Sequence, residues 1–112
     1  MKYLVEDCDN PADPVQDYAH AKQIVRQVLG SHPSVRRAAM FGSFVRGGQR
    51  DSSDVDLLIE TDGKDASEVM DIGFDLAEGL GRDVDMLTTL NGAQSSFIEN
   101  LKREGRLIYR RD

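Results

Sequence analysis

The chain has 112 residues, 39% apolar and 30% charged, and 20 acids against 14 Lys and Arg give a net charge of −6. That length supports one domain with a modest core, and the acidic balance disfavours direct nucleic-acid binding, which runs on Lys and Arg contacts to phosphate. No apolar run approaches bilayer-spanning length, the N-terminus MKYLVEDCDNPADP lacks an apolar signal-peptide core, and Cys8 is the only cysteine, which leaves no intrachain disulfide and no zinc cluster; a cytoplasmic location is the expectation.

Residues 1–12 read as an arm or short edge strand, and 13–112 as one domain. Asp13-Pro14 has the form of an N-cap followed by proline at the first helical position. Val15, Tyr18, Ala21, Val25, Val28 and Leu29 then recur at helical spacing, and Gly30 closes the helix. After the turn SHPS, Val35 to Phe41 reads as a strand ended by Gly42, and Ser43 to Arg46 as a short helical turn. Residues 47–53 form a loop. Val55 to Glu60 is a strand with Val55, Leu57 and Ile59 on one face. The turn TDGKD offers aspartates to cap a helix from Ala66 to Leu80, whose apolar side is read as Ala66, Val69, Met70, Leu76, Ala77 and Leu80. Arg82 to Leu87 alternates like a strand. Phe97, Ile98 and Leu101 indicate a last helix ending near Gly105, and Leu107 to Tyr109 a closing strand. Strands alternating with helices place the chain in the α/β or α+β class.

Asp54 and Asp56 stand one residue apart at the head of an aliphatic strand. Side chains alternate across a strand, so the two carboxylates share a face while Val55, Leu57 and Ile59 take the other. Like charges that close raise each other's cost of ionisation, and a divalent cation relieves it; hard oxygen ligands with room for water and phosphate suit magnesium. The strand RDVDML repeats the pattern with Asp83 and Asp85, and spacing alone does not choose between them. A third carboxylate beside the pair allows two ions about 3.5–4 Å apart, the arrangement used for in-line displacement at phosphorus. Upstream, Gly42-Ser43 follows a strand and opens a turn whose N–H groups and hydroxyl suit phosphate oxygens. Arg46 lies one turn further on and suits either a phosphate or a neighbouring acid.

Gly42-Ser43, ten residues, then Asp54-x-Asp56 matches the G-S-x10-D-x-D signature of the DNA polymerase β-like nucleotidyltransferase superfamily. The fuller string FGSFVRGGQRDSSDVDLLIE resembles the minimal nucleotidyltransferase (MNT) group, with Val45 where alanine is usual. VDML with Asp85 resembles that group's third-carboxylate strand, and FIENLKREGRLIY its ending, so the resemblance covers about residues 20–109. It implies a mixed β-sheet flanked by helices, with Asp54, Asp56 and Asp85 as ligands of Mg2+, two ions in number. It implies Gly42 and Ser43 holding the triphosphate of ATP, with Arg46 beside them, and Asp85 nearest the attacking hydroxyl.

Many MNT proteins are antitoxins paired with a HEPN-domain ribonuclease toxin, and they move AMP from ATP to a tyrosine of that toxin. The resemblance therefore implies a partner HEPN toxin. A chain this short has no second domain to hold an acceptor, so a homo- or hetero-oligomer is expected. Two other readings remain: an MNT-fold antitoxin that neutralises by binding alone, and a small-molecule nucleotidyltransferase of the aminoglycoside type. Elsewhere the ordinary readings hold. His20 and His32 are structural, Arg50 is a solvated loop residue and Cys8 an inert thiol. Tyr3, Tyr18 and Tyr109 are too scattered for a nucleic-acid stacking platform.

Overall fold

A computed structural model of the chain describes residues 17–49, 53–62 and 66–111. The expected N-terminal arm, with Tyr3 and Cys8, lies outside them, as do Asp13-Pro14, Val15, Arg50 and Asp65. Four helices and four strands alternate: α1 (Tyr18–Gly30), β1 (Val35–Phe41), α2 (Ser43–Arg46), β2 (Val55–Thr61), α3 (Ala66–Leu80), β3 (Val84–Leu87), α4 (Ser95–Glu104) and β4 (Arg106–Arg110). The strands form one mixed sheet in the order β3-β2-β1-β4. β1 runs antiparallel to β2 and β4, and β2 runs parallel to β3. The parallel pair needs a crossover, which α3 supplies.

Sequence explains most of these elements locally. β1 is rich in residues that alternate between core and surface, and Val35, Ala38 and Met40 are buried. A register shift between Val35 and Arg37 reconciles their uneven spacing, since a bulge adds one residue to one strand. β2 alternates cleanly: Val55, Leu57 and Ile59 are fully buried, while Asp56 and Leu58 point to the other face. α1 contributes Ala21, Val25 and Leu29 to that core, spaced by four along one helix face. α3 contributes Ile72, Leu76 and Leu80 at the same spacing. Thus α1 and α3 cover one face of the sheet, and the opposite face is left for α4, which lays Phe97 edge-on against Phe41 with ring centroids 5.8 Å apart.

Among the described residues the first helix begins at Tyr18 and is capped at Asp17, which has extended backbone angles and whose carboxylate accepts the His20 N–H at 2.8 Å. Two element-level expectations change. The third helix buries Leu76 and Leu80 as expected, but not the whole of the expected apolar side. Ile72 is in the core, whereas Met70 is 74% exposed and Ala66 is exposed too. The third strand is shorter than expected, beginning at Val84, and Arg82 before it is buried. His32 does serve a structural role: it meets the Asp75 carboxylate at 2.9 Å and ties the turn after α1 to α3. His20 is exposed.

The two stripes of α3 give a direct check. Leu76→Ala should cost about 2–5 kcal/mol through lost burial and the cavity left behind, whereas Met70→Ala should stay within about 0.5 kcal/mol. Urea unfolding of the two variants measures both values.

Candidate active site

Asp56 stands directly opposite Asp85 across the parallel β2–β3 pair, and opposite Phe41 across the antiparallel β1–β2 pair. Residues opposite one another in a ladder project from the same face. Asp85, Asp56 and Phe41 therefore form a row across three strands, on the face turned away from the core. Asp54 comes just before β2, two residues ahead of Asp56, and is exposed. Asp83 is exposed as well, and its main-chain oxygen accepts the Val55 N–H at 3.0 Å, which extends the β2–β3 pairing toward the site.

Gly42 ends β1 and caps α2. Its φ of +80° lies in the left-handed region, which glycine adopts without a side-chain clash. A second demand is stricter. A Cβ built at Gly42 would lie 2.0 Å from Oδ2 of Asp56 and 3.0 Å from its Cγ. The space beside this backbone is filled by the carboxylate of Asp56, so the turn and the acid are fitted to each other. Ser43 follows as the first residue of α2, half-buried, and Phe44 anchors the turn in the core at 1% exposed.

A cleft of about 350 Å³ opens over this row. Phe41, Gly42, Arg46, Asp56 and Asp85 line one side; Phe97, Asn100, Leu101 and Glu104 of α4 line the other. Arg46 reaches across it, its Nη1 donating to Oε1 of Glu104 at 3.2 Å. Phe97, Asn100 and Glu104 lie within FIENLKREGRLIY, where the sequence alone assigns them no place in the site. They come from a helix far along the chain, and nothing in their own spacing marks them as facing the acids.

Electrostatics singles out Asp56. Its carboxyl is held above the usual carboxylate range, first by burial and then by the negative charges of Asp85 and Asp54, with Arg46 pulling the other way. Ionised, this group sits in an unfavourable field. Among the described residues no three His, Cys, Asp or Glu side chains stand close enough together to ligate one ion as placed. In kind, however, the donor set suits a hard divalent cation: carboxylates that repel one another, beside an open cleft with space for water and phosphate. A cation there would relieve the field that now raises Asp56.

A polymerase β nucleotidyltransferase family model matches residues 23–112. A protein of Methanocaldococcus jannaschii assigned as a protein adenylyltransferase is 38% identical over 68 residues, which are 60% of this chain and 72% of that one. Among solved structures, a minimal nucleotidyltransferase superposes with a TM-score of 0.66 at 26% identity, covering 81% of this chain and 95% of its own. A toxin–antitoxin complex with AMP-PNP contains a chain that superposes with a TM-score of 0.65 at 22% identity, over 81% of this chain and 74% of that one. A complex of tri-AMPylated Shewanella oneidensis HEPN toxin with MNT antitoxin contains another, at 0.58 and 18%, over 81% and 71%. The chain belongs to the polymerase β-like nucleotidyltransferase family, and the family's fold, a mixed sheet flanked by helices, is the one observed.

The field at Asp56 has a measurable consequence. A carboxyl whose folded pKa is raised binds its proton more tightly in the folded state, so its ionisation lowers stability as pH rises from the ordinary carboxylate value through the folded one. Without added metal, Asp56→Asn should therefore raise the melting temperature at pH 7 by about 2–4 °C, a modest gain because the site is open to solvent. The gain should vanish below the ordinary carboxylate pKa. Thermal melts of wild type and variant across pH measure it.

Proposed function

We propose that this nucleotidyltransferase moves AMP from ATP to a hydroxyl, a tyrosine, of a partner HEPN-type toxin, and so acts as its antitoxin. The observation that carries the reading is the row of Asp56 and Asp85 beside the Gly42-Ser43 turn, in a cleft open to an acceptor from outside the chain. The partner is suggested by fold neighbours solved in toxin–antitoxin complexes, one with AMP-PNP and one with a tri-AMPylated HEPN toxin, and by the sequence relative assigned as a protein adenylyltransferase.

In this reading Gly42 and Ser43 receive the β and γ phosphates of ATP at the first turn of α2. Arg46 leaves Glu104 or shares itself with the triphosphate, which offers it a stronger, multiply charged partner than one half-buried carboxylate. The acceptor oxygen attacks the α phosphorus. A new P–O bond forms to the acceptor, the bond from the α phosphorus to the bridging oxygen breaks, and pyrophosphate leaves. The hydroxyl proton passes to the carboxylate of Asp85, the exposed acid at the edge of the row. Asp54, Asp56 and Asp85 would hold magnesium, whose charge stabilises the phosphate oxygens when bound. The cleft has one wall from the sheet and one from α4, and an acceptor tyrosine enters from the open side.

Incubation of a purified HEPN-type partner with the chain, ATP and magnesium should add one or more AMP masses to the partner. Asp54→Asn/Asp56→Asn should lose at least about 4 kcal/mol of transition-state stabilisation, near a thousandfold in rate, with the fold kept. Intact-mass spectrometry reads the addition. Transfer by the double variant at the wild-type rate would contradict the assignment. An unmodified partner that is still bound and silenced would place the activity in contact alone.

A further inference from the structure

Arg82 is the one buried charged residue among those described, at 7% exposed. Burying a guanidinium is costly unless its hydrogen bonds are made and its charge is compensated. Its surroundings indicate what the cost supports. Nη1 donates to the main-chain oxygen of Ser53 at 3.0 Å. The guanidinium also lies over the Phe44 ring, 5.0 Å from its centroid, within cation–π range. Arg82 itself precedes β3 by two residues, and the next residue, Asp83, accepts the Val55 N–H.

One side chain thus links three segments that each carry part of the candidate site. Phe44 follows Ser43 in the phosphate turn. Ser53 precedes Asp54, and its carbonyl belongs to the planar peptide that joins the two. Arg82 leads into the strand that carries Asp85. Fixing the Ser53 carbonyl fixes the direction in which the chain enters Asp54 and Asp56. We infer that Arg82 is a positioning residue: from inside the fold it sets the acids on β2 against the Gly42-Ser43 turn and against Asp85. Lysine cannot replace it in full, because the contact uses a planar cation that stacks on Phe44 while a separate N–H reaches Ser53.

The test uses Arg82→Met and Arg82→Lys in the full chain, with three readouts: thermal melting, amide hydrogen exchange on peptides covering residues 53–58 and 42–47, and steady-state transfer. Both variants should melt as folded proteins yet exchange faster at 53–58 than the rest of the sheet does. Their kcat should fall by about tenfold or more while KM for ATP stays within about twofold, because displaced acids impair the reacting geometry more than phosphate capture. Lysine should recover part of the loss. Exchange that rises uniformly, or not at all, together with a wild-type kcat, would overturn the assignment and leave Arg82 a stability residue. Should Arg82→Met fail to fold, Arg82→Lys decides by the same exchange comparison. The kcat arm rests on the proposed transfer reaction and the exchange arm does not: a wild type that transfers nothing would refute that reaction while the exchange result still decides Arg82.

Discussion

The carboxylate of Asp56 occupies the space where any residue but glycine at position 42 would carry its side chain. This contact couples the two halves of the site. The backbone turn after β1 can approach the acids only because Gly42 is bare, and the acid can lie against the turn only because β2 is in register with β1 at Phe41 and with β3 at Asp85. A one-residue slip of β2 would move Asp56 to the core face and Val55 or Leu57 to the cleft, exchanging a buried aliphatic for a buried charge. The full burial of Val55, Leu57 and Ile59 therefore holds the acids in place.

The same arrangement is electrostatically unfavourable until something positive arrives. Asp56 is pressed by burial and by two like charges, and Arg46, which opposes them, is also engaged with Glu104 across the cleft. Stability is reduced where binding needs charge, a common arrangement at functional sites. In the proposed reaction cation and nucleotide would address different parts of it: the cation the acids of β2 and β3, the triphosphate Arg46, to which it would offer a partner stronger than Glu104. At the opposite end of the sheet, by contrast, charges are satisfied locally. Arg37 meets Glu60 with two hydrogen bonds, and Arg36 meets Asp62 at 2.9 Å, in exposed pairs of little energetic weight.

Most of the site's framework was legible because it is local. Alternation in VDLLIE separates Asp56 from the buried Val55, Leu57 and Ile59, and Gly42-Ser43 marks a strand end and a turn. The choice of Asp85 over Asp83 rests on resemblance; in the register it is Asp85 that pairs with Asp56. What was not legible depends on long-range contact. α3 carries two apolar stripes of the same period, Met70–Phe74 and Ile72–Leu76–Leu80; only packing against α1 and the sheet decides which is buried, and it leaves Met70 and Phe74 exposed. Arg82 reads as an ordinary polar strand entry, because nothing in its sequence neighbours reveals that Phe44 and Ser53 will enclose it. The Arg46–Glu104 pair spans 58 positions, beyond any local pattern.

In the proposed function a cation on the acids of β2 and β3 and a nucleotide on the Gly42 turn share one cleft. The most direct test is paramagnetic broadening of backbone amide NMR signals by manganese, added with a non-hydrolysable ATP analogue. Broadening should centre on residues 42–47, 54–57 and 84–87, with α4 near Phe97 and Asn100 affected next, and should be lost in Asp56→Asn. Broadening centred instead on the arginine-rich end around Arg36, Arg37 and Arg110, or broadening unchanged in Asp56→Asn, would contradict it.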